Sequence, residues 1–151
     1  MTPQDYVQQK AAASGSSFYY AFLFLPPQKR AAITAFYAFC REIDDVVDDM
    51  VDPSVASSKL AWWQAEVAQS FAGQPSHPVL KALMPLAAEF KIEERHLQSV
   101  IDGCQMDLVQ TRYLDYPGLR LAKDVGCHFT DHPGHQIAVA LQCRVVKVAV
   151  L

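Results

Sequence analysis

Between Glu42 and Asp49 the chain carries five acids in eight residues, inside a segment that is otherwise apolar. On a helix turning about 100° per residue, Ile33, Phe36, Cys40, Ile43, Val47 and Met50 share one stripe, the expected buried face. Tyr37, Arg41, Asp44 and Asp48 line one edge of that stripe, while Glu42, Asp45 and Asp49 fall on the far side, expected in water. Asp44 and Asp48 thus project together from the margin of the core, where like charges repel and a carboxylate loses hydration. A divalent cation relieves both penalties, and hard ions such as Mg²⁺ take carboxylate oxygens and share them with substrate phosphates. Arg41 and Tyr37 precede the acids on the same edge. Because arginine reads anions bidentately, an arginine beside metal-binding acids suits a phosphorylated ligand bridged by metal. The same spacing also fits a solvated acidic helix face, the commoner fate of acid runs. The residues alone leave both readings open.

The elements that must position these side chains are read from punctuation and periodicity. Thr2-Pro3 is an N-cap followed by proline at the first helical position, opening a short helix to about Ala13. Ser14-Gly-Ser-Ser17 breaks it. Phe18-Tyr-Tyr-Ala-Phe-Leu-Phe-Leu25 fits a buried strand or a buried helix by pattern alone, and its helical surroundings select helix. Pro27 starts the acid-bearing helix, which ends before Pro53. Val55 to Ala72 carries Leu60, Trp63, Val67 and Phe71 at helical spacing, and Val79 to Phe90 forms another helix that Pro85 kinks or breaks. Glu93 to about Arg112 places Leu97, Ile101, Cys104 and Leu108 on one face. No period-two alternation occurs through Arg120, so the body is expected to be all-α. Residues 121–151 differ in character, rich in histidine and valine with few acids, and are expected to be a divergent tail.

Composition bounds the function. The 151 residues, 51% of them hydrophobic, suffice for one domain with a real core. A net charge of −3 with no basic block offers nucleic-acid binding little support. The start of the chain lacks the pattern of a signal peptide, and no stretch reaches the roughly 18 apolar residues of a spanning helix. Cys40, Cys104, Cys127 and Cys143 are too widely spaced for a disulfide framework, which makes a reducing cytosol the default.

Cys127-His-Phe-Thr-Asp-His-Pro-Gly-His135 offers zinc-ligand types, but at no familiar spacing and across a Pro-Gly loop. Asp102 and Asp107 point about 140° apart on a helix and cannot clamp one ion unaided. Asp102 reads as a surface acid, whereas Asp107 could face a cavity opposite Asp44. Ser16-Ser17 reads as a cap for the aromatic run. Phe18, Tyr20 and Phe22 either pack in the core or line the mouth of an apolar cavity.

Three stretches together resemble a known family: Ser16-Ser-Phe-Tyr-Tyr-Ala-Phe-Leu-Phe-Leu-Pro-Pro27, Ala35-Phe-Tyr-Ala-Phe-Cys-Arg-Glu-Ile-Asp-Asp-Val-Val-Asp48 and Val100-Ile-Asp-Gly-Cys-Gln-Met-Asp-Leu108. They are similar to the squalene/phytoene synthase family, nearest in character to bacterial presqualene diphosphate and squalene synthases of hopanoid pathways. The likeness runs from about residue 14 to 120. It implies an all-α isoprenoid synthase-type bundle around a deep apolar cavity, in which two prenyl diphosphates, farnesyl or geranylgeranyl, join head to head.

Carried over residue by residue, the resemblance implies that Asp44 and Asp48 hold Mg²⁺ on the diphosphate. It implies that Tyr37 and Arg41 are catalytic and contact substrate, and that Ser17, Phe18 and Phe22 belong to the substrate pocket. Use of NADPH is left open by the sequence, as is the oligomeric state. Membrane contact is expected at most as peripheral attachment to a cytoplasmic protein, because such substrates are lipids. The family's second aspartate-rich motif has no counterpart in residues 121–151. The expectation is therefore a truncated N-terminal portion, residues 1–120, with impaired catalysis. The alternative is a non-catalytic helical domain that binds prenyl diphosphate or a protein partner.

Overall fold

A computed structural model of the chain describes residues 1–109, apart from the side chains of Phe18, Asp107 and Val109. Six helices account for most of them: α1 (Pro3–Ala13), α2 (Ser17–Phe22), α3 (Pro27–Asp49), α4 (Pro53–Phe71), α5 (Pro78–Ala87) and α6 (Glu94–Val109). No strand occurs among the described residues, so the all-α expectation holds. The zinc candidate at Cys127–His135, the tail at 121–151 and the boundary near residue 120 lie outside the described residues.

Four of the six helices open on proline, at Pro3, Pro27, Pro53 and Pro78, where the missing N–H has no intrahelical partner to lose. The caps are local. Thr2 and Asp5 form a reciprocal capping box on α1, and Asp52 Oδ1 accepts from Ser54 N at 2.8 Å on α4. α2 stops at Phe22 rather than running to Leu25: the next three residues close as i→i−3 turns, and the pre-proline clash bars Leu25 from continuing the helix. α4 ends with Gly73 at φ 90°, its N–H bonded to Ser70 O and that of Gln74 to Gln69 O, a Schellman closure.

The same closure follows α5, after a last helical bond from Phe90 N to Leu86 O that carries the turn to the expected Phe90. Ile92 N reaches Ala87 O at 2.8 Å, which forces Lys91 to φ 53°. A side chain in the left-handed region costs roughly 1–2 kcal/mol. Burying an isoleucine gains roughly 1.5–3 kcal/mol, and Ile92 is 6% exposed. Burial wins, so the strained turn persists.

α3 is the axis of the bundle and touches each of the other five described helices. All nine residues from Ala32 to Cys40 are buried without a gap, so this half of α3 is covered on every side rather than along one stripe. α1 packs on α3 and α5, and α4 packs on α5 and α6. Phe39 meets the edge of Trp63 at 5.7 Å, and Leu60, Leu80, Leu83, Leu97 and Ile101 are fully buried between the layers. Among the described residues no helix is long and apolar enough to cross a membrane.

Candidate functional site

The chemistry-bearing turns of α3 run from Tyr37 to Asp48, flanked by α1 and α6. Tyr37 is 6% exposed; its hydroxyl donates to Ser14 Oγ at 3.2 Å, and Ser14 Oγ in turn donates to Ala11 O at 2.7 Å. Phe22 lies edge-on to the Tyr37 ring at 5.6 Å. The turn between α1 and α2 is thereby fastened to α3 by a phenol and an aromatic pair. Phe22 and Tyr37 are both packed in the hydrophobic core. Ser17 is exposed at the start of α2, and the Phe18 side chain lies outside the described residues.

One turn on, Arg41 directs Nη2 to Asp45 Oδ1 at 2.9 Å and Nη1 toward Asp44 Oδ2 at 3.7 Å. The first is a charge-assisted hydrogen bond; the second is too long for one and is an ion pair only. Asp44 is 5% exposed, with Oδ1 3.9 Å from Cys104 Sγ on α6. Cys40, fully inside the core, has its thiol pushed well up by burial and then by the charge of Asp44. Cys40 and Cys104, the cysteines among the described residues, are unbridged.

Asp48 is exposed, one turn beyond Asp44. Partial loss of hydration still raises its carboxyl above the ordinary value. Asp45 and Asp49 add to the rise, and Arg41 opposes it. The two carboxylates therefore differ: Asp44 faces the core between Arg41 and Cys104, and Asp48 stands at the solvent margin.

Two acids expected in water are not there. Glu42 accepts a hydrogen bond from Tyr6 at 2.6 Å and pairs with Lys10 Nζ at 3.2 Å, while Asp45 lies 2.7 Å from the same Nζ. Burial first, and then the bond to Glu42, pushes the Tyr6 phenol up to about 12. The reason for the difference is α1, which packs along the side of α3 that a single-helix projection assigns to solvent. Asp49 alone of the three is exposed as expected. Tyr6, Lys10 and Cys104 escape a motif search. Tyr6 and Lys10 stand four apart on α1, a spacing that signals a shared face but not its partner.

Asp102, expected at the surface, is exposed and accepts from Gln64 Nε2 at 3.2 Å; the Asp107 side chain lies outside the described residues. A shallow hollow of about 350 Å³ lined by Met1, Asp5, Gln8 and Gln9 shares no residue with the α3 site.

Among the described residues no three histidine, cysteine, aspartate or glutamate side chains gather as a metal-binding group. Asp44 and Asp48 offer hard oxygen donors on one helix edge. Two carboxylates suit Mg²⁺, which commonly keeps several waters and completes its shell with substrate phosphate. The crowded charge at Asp48 is what such an ion relieves. By donor chemistry the two carboxylates suit magnesium, although Asp44 is 5% exposed and Asp48 lies at the solvent margin.

A family model described as Squalene/phytoene synthase matches residues 11–121, which include every residue of the α3 site. The chain belongs to the squalene/phytoene synthase family. Its family relatives include the chloroplastic phytoene synthase of Narcissus pseudonarcissus, 30% identical over 117 residues, covering 78% of this chain and 28% of that protein. They also include the phytoene synthase of Arthrospira platensis, 32% identical over 114 residues, covering 76% of this chain and 37% of that one. The 15-cis-phytoene synthase of a Synechocystis species is 32% identical over 114 residues, covering 76% and 34%. The chain thus spans well under half the length of these family members. No solved structure matches it.

Proposed function

We propose that this chain is the N-terminal portion of an enzyme that condenses two prenyl diphosphates head to head, and that α3 carries its first diphosphate-binding site. The observation that supports this most directly is the Arg41–Asp44 pair. A cation and a buried carboxylate lie 3.7 Å apart on the helix at the centre of the bundle, inside the matched segment. Asp44 and Asp48 would hold Mg²⁺, which when bound neutralises charge on a departing diphosphate. Arg41 Nη1 meets the diphosphate oxygens as a second cation. Phe22 and Tyr37 supply an apolar wall that keeps water from an allylic cation.

The relatives named phytoene synthase favour a phytoene-type condensation, and the presqualene and squalene type is the runner-up. NADPH would be needed only for a reductive product. A non-catalytic prenyl diphosphate binder is the second reading. Attachment to membranes, if the substrates are lipids, would be peripheral.

Calorimetric titration with a non-hydrolysable farnesyl or geranylgeranyl diphosphate analogue tests the site. Binding should require Mg²⁺ and weaken about tenfold or more in Asp44→Asn, as expected when one charged partner of a metal–phosphate contact is lost. Unchanged binding in both Asp44→Asn and Asp48→Asn would refute the assignment. Product formation from radiolabelled prenyl diphosphate separates the enzyme from the non-catalytic binder.

A further inference from the structure

The α1 side of the site carries a network that the metal assignment does not use. Asp45 places one oxygen on each of two cations: Oδ1 accepts from Arg41 Nη2 at 2.9 Å, and Oδ2 lies 2.7 Å from Lys10 Nζ. Lys10 also reaches Glu42 at 3.2 Å, and Glu42 is held by the Tyr6 hydroxyl at 2.6 Å. Burial alone would lower the lysine's affinity for its proton, but Asp45 and Glu42 outweigh it and raise the Lys10 ammonium above its ordinary value. The network ties α1 to α3 at the turn that carries Arg41.

An arginine half-exposed on a helix samples many rotamers, and holding one for a ligand costs entropy. Asp45 fixes the guanidinium through Nη2 and turns Nη1 toward Asp44, where the 3.7 Å separation leaves that nitrogen's hydrogens available. Lys10 supplies the other half of the balance. Without it, Arg41 would be the one cation paired with Asp45 and Asp44, and the uncompensated charge of Asp45 and Glu42 would repel an incoming anion. With Lys10 sharing Asp45, the guanidinium is held but not fully neutralised.

We propose that Asp45 and Lys10 are positioning residues that hold Arg41 ready to receive a diphosphate beside Asp44. The proposal rests on the diphosphate reading of the α3 site. It makes a prediction opposite to that of simple charge counting. Asp45→Asn removes a negative charge, which by field alone would tighten an anion.

If positioning prevails, Asp45→Asn weakens inorganic pyrophosphate with Mg²⁺ about fivefold to tenfold, a moderate effect because the pair is partly exposed. Lys10→Met weakens it in the same direction, and Lys10→Arg restores it. Farnesol, which has no diphosphate, should bind all four chains alike. The measurement is calorimetry on the full chain at matched ionic strength, with circular dichroism confirming helix content. Should Asp45→Asn fail to fold, Asp45→Ser, which also removes the charge and the hold on Arg41, carries the test with the same expected sign; Lys10→Met and its arginine rescue report on charge and position together and do not decide between them.

Pyrophosphate affinity equal to or above the parent's in the folded variants overturns the proposal. So does a parallel loss of farnesol binding, which would mark a purely structural tie between α1 and α3. Arg41→Met and Asp44→Asn run alongside. If they leave pyrophosphate affinity unchanged, the diphosphate reading itself fails. If they weaken it and the Asp45 and Lys10 variants do not, only the positioning role fails.

Discussion

Cys104 Sγ on α6 lies 3.9 Å from Asp44 Oδ1 on α3, and both side chains are buried. A thiol is a weak donor, and this separation is near the limit for sulfur. The contact nevertheless joins residues sixty positions apart in the chain. It closes the α6 side of the carboxylate with a polarisable, nearly apolar atom, while Arg41 stands on the other. Asp44 is thus held between a cation and a sulfur at the junction of two helices.

Cys104→Ala removes a fully buried sulfur from that junction. The loss should be about 1–2 kcal/mol in urea unfolding, with the slope against urea unchanged. A double-mutant cycle with Asp44→Asn should give a coupling of about 0.5 kcal/mol or more, as residues in contact do. Strict additivity would mean that the thiol only fills space.

Tyr37→Phe keeps the ring against Phe22 and deletes the hydroxyl that donates to Ser14 Oγ. A net hydrogen bond of this kind is worth about 1 kcal/mol. The loss should be local, because Ser14 anchors the turn between α1 and α2. Amide exchange at residues 14–17 should quicken while protection in the middle of α3 stays. Unchanged exchange at those residues would show that the phenol does not hold the turn.

Lys91→Gly should stabilise the chain, which is unusual for a substitution that removes a side chain. Lys91 sits at φ 53°, where glycine alone is free of a Cβ penalty. The extra freedom of glycine in the unfolded chain offsets part of the relief, leaving a gain of about 0.5–1 kcal/mol. A raised midpoint in thermal or urea unfolding checks it. A fall would mean that contacts of the lysine stem outweigh the backbone strain.

What could be read from the sequence was what is local. Pro3 and Pro27 open helices as their place in the sequence indicates, α4 and α5 start at Pro53 and Pro78, slightly ahead of the expected Val55 and Val79, and the spacing of Leu97, Ile101 and Cys104 follows from helix geometry alone. The stripe of Ile33, Phe36, Cys40 and Ile43 is buried as its period demands. The rest depends on which helices return to which faces. Glu42 and Asp45 look solvated on an isolated α3 and are covered because α1 folds back over them. Ala32, Thr34 and Ala38 are buried though no apolar stripe includes them, because other helices pack around α3. At the α3 site, Arg41 beside Asp44 follows from their spacing, whereas Lys10, Tyr6 and Cys104 approach only in three dimensions. Asp48 stands more exposed than its place beside Asp44 implied, since burial along that edge ends within one turn.

The loop before α5 should make the fold acid-sensitive in two stages. Glu66, 4% exposed on α4, accepts from Ser76 N at 2.8 Å, Ser76 Oγ at 2.7 Å and His77 N at 2.8 Å. Burial works against its charge, but these bonds prevail and hold the carboxyl below its ordinary value of 4.5. A depressed carboxyl contributes stability that is complete above 4.5 and lost as pH falls through the lower folded value. His77 caps α5, its Nδ1 accepting from Val79 N at 3.3 Å, and its ring packs against Trp63 at 4.6 Å and Tyr6 at 5.8 Å. Burial first, helped by Lys10 and Lys81 and opposed by Glu42 and Glu66, lowers its affinity for a proton below the ordinary 6.5. The unfolded chain therefore takes up the proton first, and stability begins to fall as pH drops below 6.5. The thermal midpoint should decline from about pH 6.5 and again from about pH 4.5. His77→Asn, which keeps a capping side chain, should abolish the upper stage and leave the lower. Glu66→Gln should cost about 2 kcal/mol at neutral pH, because a charged acceptor of three bonds is lost, and should flatten the lower stage. Melting curves between roughly pH 3 and 8 decide it, and a parent midpoint that is flat from pH 7 to 5 would exclude the role given to His77.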